Sequence, residues 1–150
     1  MTRASWWVGV AAIALGVVCT AIVSLTQYSH NSEMYVAAGA LIADGFVPYR
    51  DFAYLQTPYQ AWLLGGVFRL LPEPGWYLLA AKSVSLAAYG VSVLLVFQIS
   101  RTLTSSQTGG VLLAAFFSTN LLIILPSAEA ANYALSLALA LGGVRGCQVK

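Results

Sequence analysis

An all-α, polytopic membrane protein is the fold class that this sequence predicts, and three observations carry that expectation. Hydrophobic residues make up 59% of the 150-residue chain and charged residues only 8%, against roughly 25% charged in an average soluble domain. The apolar residues gather into four long runs, at 5–25, 76–100, 109–125 and 128–144, and about 20 residues of helix cross the hydrocarbon core of a bilayer. The long polar interruption between the first and second runs, residues 28–60, holds Glu33, Asp44 and Asp51, three of the five acidic residues.

The first run, 5–25, contains no charge and opens with Trp6 and Trp7, aromatic side chains suited to the headgroup layer. It is longer than the h-region of a cleaved signal peptide, about 7 to 15 residues, so an uncleaved span is expected. A short helix is expected over 32–44. Asn31 or Ser32 serves as its N-cap, Glu33 lies in the first turn where a carboxylate suits the helix dipole, and Gly45 is the stop. Glu33, Ala37, Ala40 and Asp44 form one stripe of that helix, with its two carboxylates about 16 Å apart at ~1.5 Å rise per residue.

Residues 46–52 (Phe-Val-Pro-Tyr-Arg-Asp-Phe) read as an extended, aromatic-rich segment with an adjacent cation and anion. A second short helix follows over 58–71. There Thr57 is the expected N-cap, Pro58 takes the first helical position and Gln60 completes a capping box. This helix is too short to span, and Arg69 is expected to reach the headgroups from an interfacial position. Pro72, Pro74 and Gly75 end it.

The second crossing, 76–100, exits at Arg101. Lys82, about a turn and a half inside its start, either snorkels outward or faces a protein or water cavity. After a polar link at 102–108, the third crossing covers 109–125, Pro126 and Ser127 turn the chain, and the fourth covers 128–144 with Glu129 at its start and Asn132 one turn in. With a cytoplasmic N-terminus, four crossings place Arg3, Arg101, Arg145 and Lys150 inside, as the positive-inside rule favours, although Arg50, Arg69 and Lys82 fall outside. All five carboxylates then share the extracytoplasmic face.

Several functional classes lose support at this stage. The net charge of +2 comes with no basic cluster, so nucleic acid is not an expected partner. Cys19 and Cys147 have no framework spacing. His30 has neither a Cys nor a second His at ligand spacing, so no metal is expected. No P-loop, dinucleotide fingerprint, nucleophile elbow or zinc-protease motif occurs, so no cofactor is expected either. The acids also have plain structural readings: Glu33 as a first-turn acid, Arg50 and Asp51 as a surface ion pair, Asp44 as a solvated helix end, and Glu129 as a cap for the last run.

Taken together, an acid just after the first crossing, a short helix ending in Gly, the segment Pro48-Tyr49-Arg50-Asp51-Phe52, and Thr57-Pro58 opening an apolar helix resemble the N-terminal region of the GT-C membrane glycosyltransferases. The similar branch is that of bacterial protein mannosyltransferases and aminoarabinose transferases, and the resemblance runs over residues 5–144. It implies an outward first loop with two juxtamembrane helices, and transfer of a sugar from a polyprenyl-phosphate donor to an acceptor on the extracytoplasmic face of the plasma (inner) membrane. Glu33 matches the catalytic acid, with Ser32 where the family carries another acid, and Asp51, matching the acid of the Tyr-Arg-Asp-Phe segment, is the second expected catalytic residue. Tyr49, Arg50, Lys82 and Glu129 are the expected substrate contacts. Family members have many more crossings, so the resemblance also implies an N-terminal portion, inactive alone, completed by further chain or a second polypeptide. A transporter-like or non-catalytic membrane protein, or an inactive remnant, stays open as the alternative.

Overall fold

The computed structural model describes residues 3–27 and 29–148, with the side chains of residues 3–5 left out. Tyr28 and Lys150, named in the sequence reading, lie outside the described residues, as does the Arg3 side chain. Among the described residues there are helices and no strands: α1 (Arg3–Thr26), α2 (His30–Ala43), α3 (Tyr59–Phe68), a 3-10 turn at Pro74–Trp76, α4 (Tyr77–Thr104), α5 (Gln107–Thr119), α6 (Leu121–Ala128) and α7 (Asn132–Gln148).

Two of these helices are long and apolar enough to cross a membrane, one over Trp6–Thr26 and one over Pro74–Thr104. α5 and α6 together make a third span if they are taken as one broken crossing, bent by 60°. The third and fourth expected crossings therefore need correction. The chain breaks at Asn120, within the run expected to cross straight through, because Asn120 is extended (ψ 120°) and its side chain caps α6 by accepting from the Leu122 N–H at 2.9 Å. Pro126, expected to turn the chain, sits inside α6, and the turn comes at Glu129–Ala131 instead. α7 has 17 residues, about 25 Å at ~1.5 Å rise, below the length that crosses ~30 Å of hydrocarbon untilted.

The distribution of side chains reverses that of a soluble protein. Val8, Leu15, Val18, Ile22 and Leu25 stand exposed along one stripe of α1, while Gly9, Gly16, Thr20 and Ser24 are buried on the other. α4 repeats the pattern, burying Ala81, Ser85, Ala88, Tyr89 and Ser92 and exposing Val91 and Leu94. Lipid tails are as apolar as leucine, so helices in a bilayer gain from close backbone approach and inward hydrogen bonds rather than from hiding leucines. The Thr20 and Ser92 hydroxyls meet this need by donating to the carbonyls of Gly16 and Ala88, one turn back.

Glycine sets the closest of these approaches. Gly9 lies against Val111, and Gly16 lies so near the Ser118 carbonyl that a Cβ there would overlap backbone. α1 and α5 therefore run parallel. α4 runs the other way, with Phe97 and Arg101 against Gly110 and Lys82 against the end of α1. α7 is tied at its start to Thr57 by Asn132 and at its end to Thr102 by Arg145. Chain order then fixes a polarity. Glu33, Asp44, Asp51, Glu73 and Glu129 gather at one end of the bundle, and Arg101 and Arg145 at the other.

Two cations end on helix carbonyls: Lys82 takes the inward, protein-facing course of its two expected ones, and Arg69, expected to reach the headgroups, turns to α2 instead. The Lys82 ammonium, on a residue 8% exposed, donates to the carbonyls of Ser24 and, at 2.8 Å, Gln27 at the end of α1. The Arg69 guanidinium donates to the carbonyls of Ala43 (3.2 Å) and Ile42 (2.9 Å) at the end of α2. The last carbonyls of a helix have no partner within it and carry the negative end of its dipole, so a cation is the fitting cap.

Gly16→Ala is expected to lower stability by about 1–3 kcal/mol through overpacking against α5. Gly66→Ala, on an exposed face with nothing within 4 Å of the added carbon, is expected to be neutral or to stabilise by up to ~1 kcal/mol through helix propensity. Thermal unfolding of both purified variants in detergent checks the pair, and equal melting temperatures would refute this account of the α1–α5 crossing.

Candidate functional site

The site forms where the N-terminal ends of α2, α3 and α7 converge. α2 begins two residues earlier than expected, because Ser29 rather than Asn31 or Ser32 is its N-cap, accepting from the Asn31 N–H at 3.2 Å. That frees both expected caps for tertiary bonds. The buried Ser32 Oγ accepts from the Ala130 N–H at 3.0 Å, and Asn31 Nδ2 donates to Glu129 Oε2 at 3.3 Å. The first turn of α2 is thereby fastened to the turn before α7.

Glu33 stands beside this seam, in the first turn of α2. Its Oε2 lies 3.5 Å from His30 Nδ1, and its side chain is 48% exposed. The structure thus brings Glu129, from a distant part of the sequence, onto Asn31 in the first turn of α2, the turn that also carries Glu33. A cleft of about 400 Å³ opens there, lined by Asn31, Leu125, Pro126, Glu129 and Tyr133. It has apolar walls and a polar rim, the general character of a small-molecule site.

α3 closes the other side of the seam. Its N-cap is Pro58, without a side-chain bond, so the expected capping box is absent. Thr57 Oγ1 instead accepts from Asn132 Nδ2 at 3.2 Å, and Gln60 is fully buried with neither amide atom hydrogen-bonded. Tyr59 Oη pairs with Ser136 Oγ at 3.2 Å, and the Ser136 and Thr57 hydroxyls hold this phenol below its usual range. Burial pushes the Tyr35 phenol up, against the opposing effect of the Asn132 backbone N–H beside it.

The segment expected to be extended is a tight loop. α2 ends in a Schellman arrangement. Gly45, at φ 97°, donates its N–H to the Ile42 carbonyl, and Phe46 donates to that of Leu41, both at 3.0 Å. Asp51 then staples the next turn. Its Oδ2 accepts from the Val47 N–H (2.7 Å) and Arg50 Nη2 (2.8 Å), and its Oδ1 accepts from Arg50 Nε (2.9 Å). The Arg50 bonds first, and the Val47 N–H after them, hold the Asp51 carboxyl at about 2. Tyr49 occupies the left-handed region at φ 67°, held by its N–H on the Phe52 carbonyl and its phenol on that of Gln56. Backbone kept in that region by a side chain other than glycine costs of order 1–3 kcal/mol and clusters at functional sites. Tyr54 packs on Tyr49, Phe52 and Tyr35, with ring centroids 6.2 to 6.3 Å apart, and so connects this loop to the seam.

No family model, curated protein or solved structure matches the chain.

The expected site residues therefore fall into three groups. Glu33, beside His30, and Glu129, on Asn31, both stand at the first turn of α2; Tyr49, Arg50 and Asp51 form the neighbouring loop; Lys82 is engaged at the end of α1. Among the described residues no cluster of three or more His, Cys, Asp or Glu side chains is placed to hold a metal. The residues that sequence reading undervalued are Asn31, Ser32, Tyr59 and Ser136. Their only signal was polarity at the start of an apolar helix, which also describes an ordinary cap.

The Asp51 staple predicts an acid-sensitive loop. A carboxyl held below its ordinary value of 3.8 contributes stability at all pH values above that, and the contribution is lost as pH falls toward about 2. Intrinsic fluorescence or proteolysis of residues 46–56 is expected to be flat from neutral pH to about 4.5 and to change below it. Asp51→Asn is expected to show the loosened loop already at neutral pH. A loop equally protected in the variant would count against the staple.

Proposed function

We propose that this chain belongs to a membrane glycosyltransferase that moves a sugar from a polyprenyl-phosphate carrier to a hydroxyl acceptor at the membrane surface, with Glu33 as the general base. The observation that supports this reading most is the placement of Glu33, exposed in the first turn of α2, on the helix whose Asn31 holds Glu129, at the end of the bundle where α1 finishes and α4 begins. A carrier with a long isoprenoid tail stays in the bilayer, so its phosphate and sugar are presented at the helix ends, where these acids stand.

In the reaction, the acceptor oxygen attacks the anomeric carbon of the donor sugar. The bond from that carbon to the phosphate oxygen breaks, and the electron pair leaves with the polyprenyl phosphate. The acceptor proton passes to Glu33, whose exposed carboxylate lies in the first turn of a fixed helix. Glu129 and Tyr133 line the cleft and supply hydrogen-bond partners for sugar hydroxyls. Arg50, 71% exposed at its side chain, keeps N–H groups free beyond those on Asp51 and serves the leaving phosphate. Tyr49 holds the loop that presents Arg50. Lys82 serves by anchoring the end of α1, from which the chain enters α2 and Glu33.

This reading assigns the protein to the plasma membrane, with the acidic end of the bundle on the extracytoplasmic side and the N-terminus in the cytoplasm. The Arg101 and Arg145 end then faces the cytoplasm, as the positive-inside rule favours. It includes α7 as a fourth, short crossing, and it lets further chain or a second polypeptide complete the donor groove.

The test is transfer of label from a radiolabelled polyprenyl-phosphate sugar in native membranes, with Glu33→Gln introduced at the native locus. General-base catalysis contributes about 10²- to 10⁴-fold, so a loss of that size is expected with the protein still inserted at its normal level. Asp51→Asn is expected to cost less, since it loosens a loop and removes no proton acceptor from the reaction. Undiminished transfer in the Glu33→Gln membranes would sink the proposal.

A further inference from the structure

At the opposite end of the bundle the structure brings together two arginines that lie far apart in the sequence. Arg101 is in the last turn of α4 and Arg145 in the last turn of α7. With Gln98 and Thr102 they line a cleft of about 270 Å³. Arg145 Nη1 donates to Thr102 Oγ1 at 3.3 Å, which fixes one wall, and the Cβ of Arg101 packs over Gly110 of α5, which fixes the other. Helix-end arginines commonly point apart into solvent, whereas these two face one cavity.

The chemistry of that cavity is one-sided. Two guanidinium groups and the Gln98 amide can donate into it, the Thr102 hydroxyl being spent on the Gln98 carbonyl, and among the described residues neither arginine has a carboxylate partner. The acids of the chain stand at the other end of the bundle, beyond the length of α4. Two guanidinium groups drawn together without a counter-ion raise the local positive potential. An anion with several oxygens relieves it, and guanidinium matches phosphate in a fixed fork geometry.

We infer that this cleft is a binding site for the phosphodiester of an anionic phospholipid. Depth and surroundings favour the lipid over a free anion. The cleft lies at the end of a membrane-spanning helix, and the exposed Leu94, Leu103 and Val144 of α4 and α7 flank it with apolar surface for acyl chains. Basic pockets between spanning helices recognise anionic headgroups in this way. The inference does not rest on the proposed transferase reaction, because it uses neither the acids nor the α2–α3 end of the molecule.

The experiment uses the purified full chain in zwitterionic nanodiscs doped with phosphatidylglycerol, with retention measured by native mass spectrometry. Wild-type protein is expected to retain phosphatidylglycerol over phosphatidylcholine. Arg101→Gln/Arg145→Gln is expected to weaken phosphatidylglycerol binding roughly thirtyfold, the loss of two membrane-surface arginines. Equal retention of the two lipids by the wild type, or undiminished phosphatidylglycerol binding by the double variant, overturns the assignment. So does inorganic phosphate that binds as tightly as the lipid, since the ligand is then the free anion. If the double variant fails to fold, Arg101→Lys/Arg145→Lys is read in its place. It keeps both charges and loses the planar fork, so several-fold weaker binding supports the site and unchanged binding overturns it.

Discussion

The rest of this molecule depends on how the ends of its helices are closed by side chains from neighbouring helices. A helix leaves its last carbonyls without internal partners, and a bilayer supplies none. α1 solves this with Lys82, which reaches back from α4 to the carbonyls of Ser24 and Gln27. α2 solves it with Arg69, which reaches from the end of α3 to Ile42 and Ala43. The break after α5 releases the Ser118 carbonyl, and the buried Tyr89 hydroxyl takes it at 2.8 Å. Each bond closes one helix with a side chain from another, so the same contacts that satisfy the backbone also fix how the helices stand to each other.

Those closures decide which charges remain for chemistry. Lys82 and Arg69 are committed to carbonyls, and Arg50 largely to Asp51. The acids fare differently. Asp51 is locked by three donors and held at about 2, a poor proton acceptor, while Glu33 has only the exposed His30 beside it and Glu129 only Asn31. Two acids that the sequence presents as equals are therefore separated by their surroundings, one as a fastener and one as a free carboxylate. A general base must have lone pairs open to the group it deprotonates, and by that criterion Glu33 is the better placed.

The helical class, the first two helices long and apolar enough to cross a membrane, the two short helices between them and the glycine stop at 45 were all legible, because each has a local cause: hydrophobic run length, a cap, or a residue that readily tolerates φ 97°. What was not legible depends on partners distant in sequence. Ser29 is the cap rather than Asn31 or Ser32 because those two side chains bond to Glu129 and Ala130, nearly a hundred residues on. Thr57 and Gln60 make a plausible capping box by spacing alone, yet Asn132 captures the threonine and packing buries the glutamine. Residues 109–125 read as a straight crossing because hydropathy does not register the extended conformation and side-chain cap of Asn120. Arg101 and Arg145 read as unrelated helix ends until α4 and α7 are set side by side.

Ser32 illustrates why the local pattern around Glu33 departs from a plain acidic pair. It is 2% exposed, and its hydroxyl accepts the Ala130 N–H at the start of α7, a donor that no helical carbonyl can satisfy. A carboxylate in that place would have to be desolvated beside Glu129 and within one residue of Glu33, three like charges around a seam whose donors are few. Burying a charge without a matched partner raises its own cost and that of its neighbours. The serine supplies the acceptor the backbone needs without adding a buried charge to a turn that already carries Glu33 and bonds Glu129 through Asn31. On this account the small hydroxyl at position 32 fastens α2 to the turn before α7 without a third acid beside them.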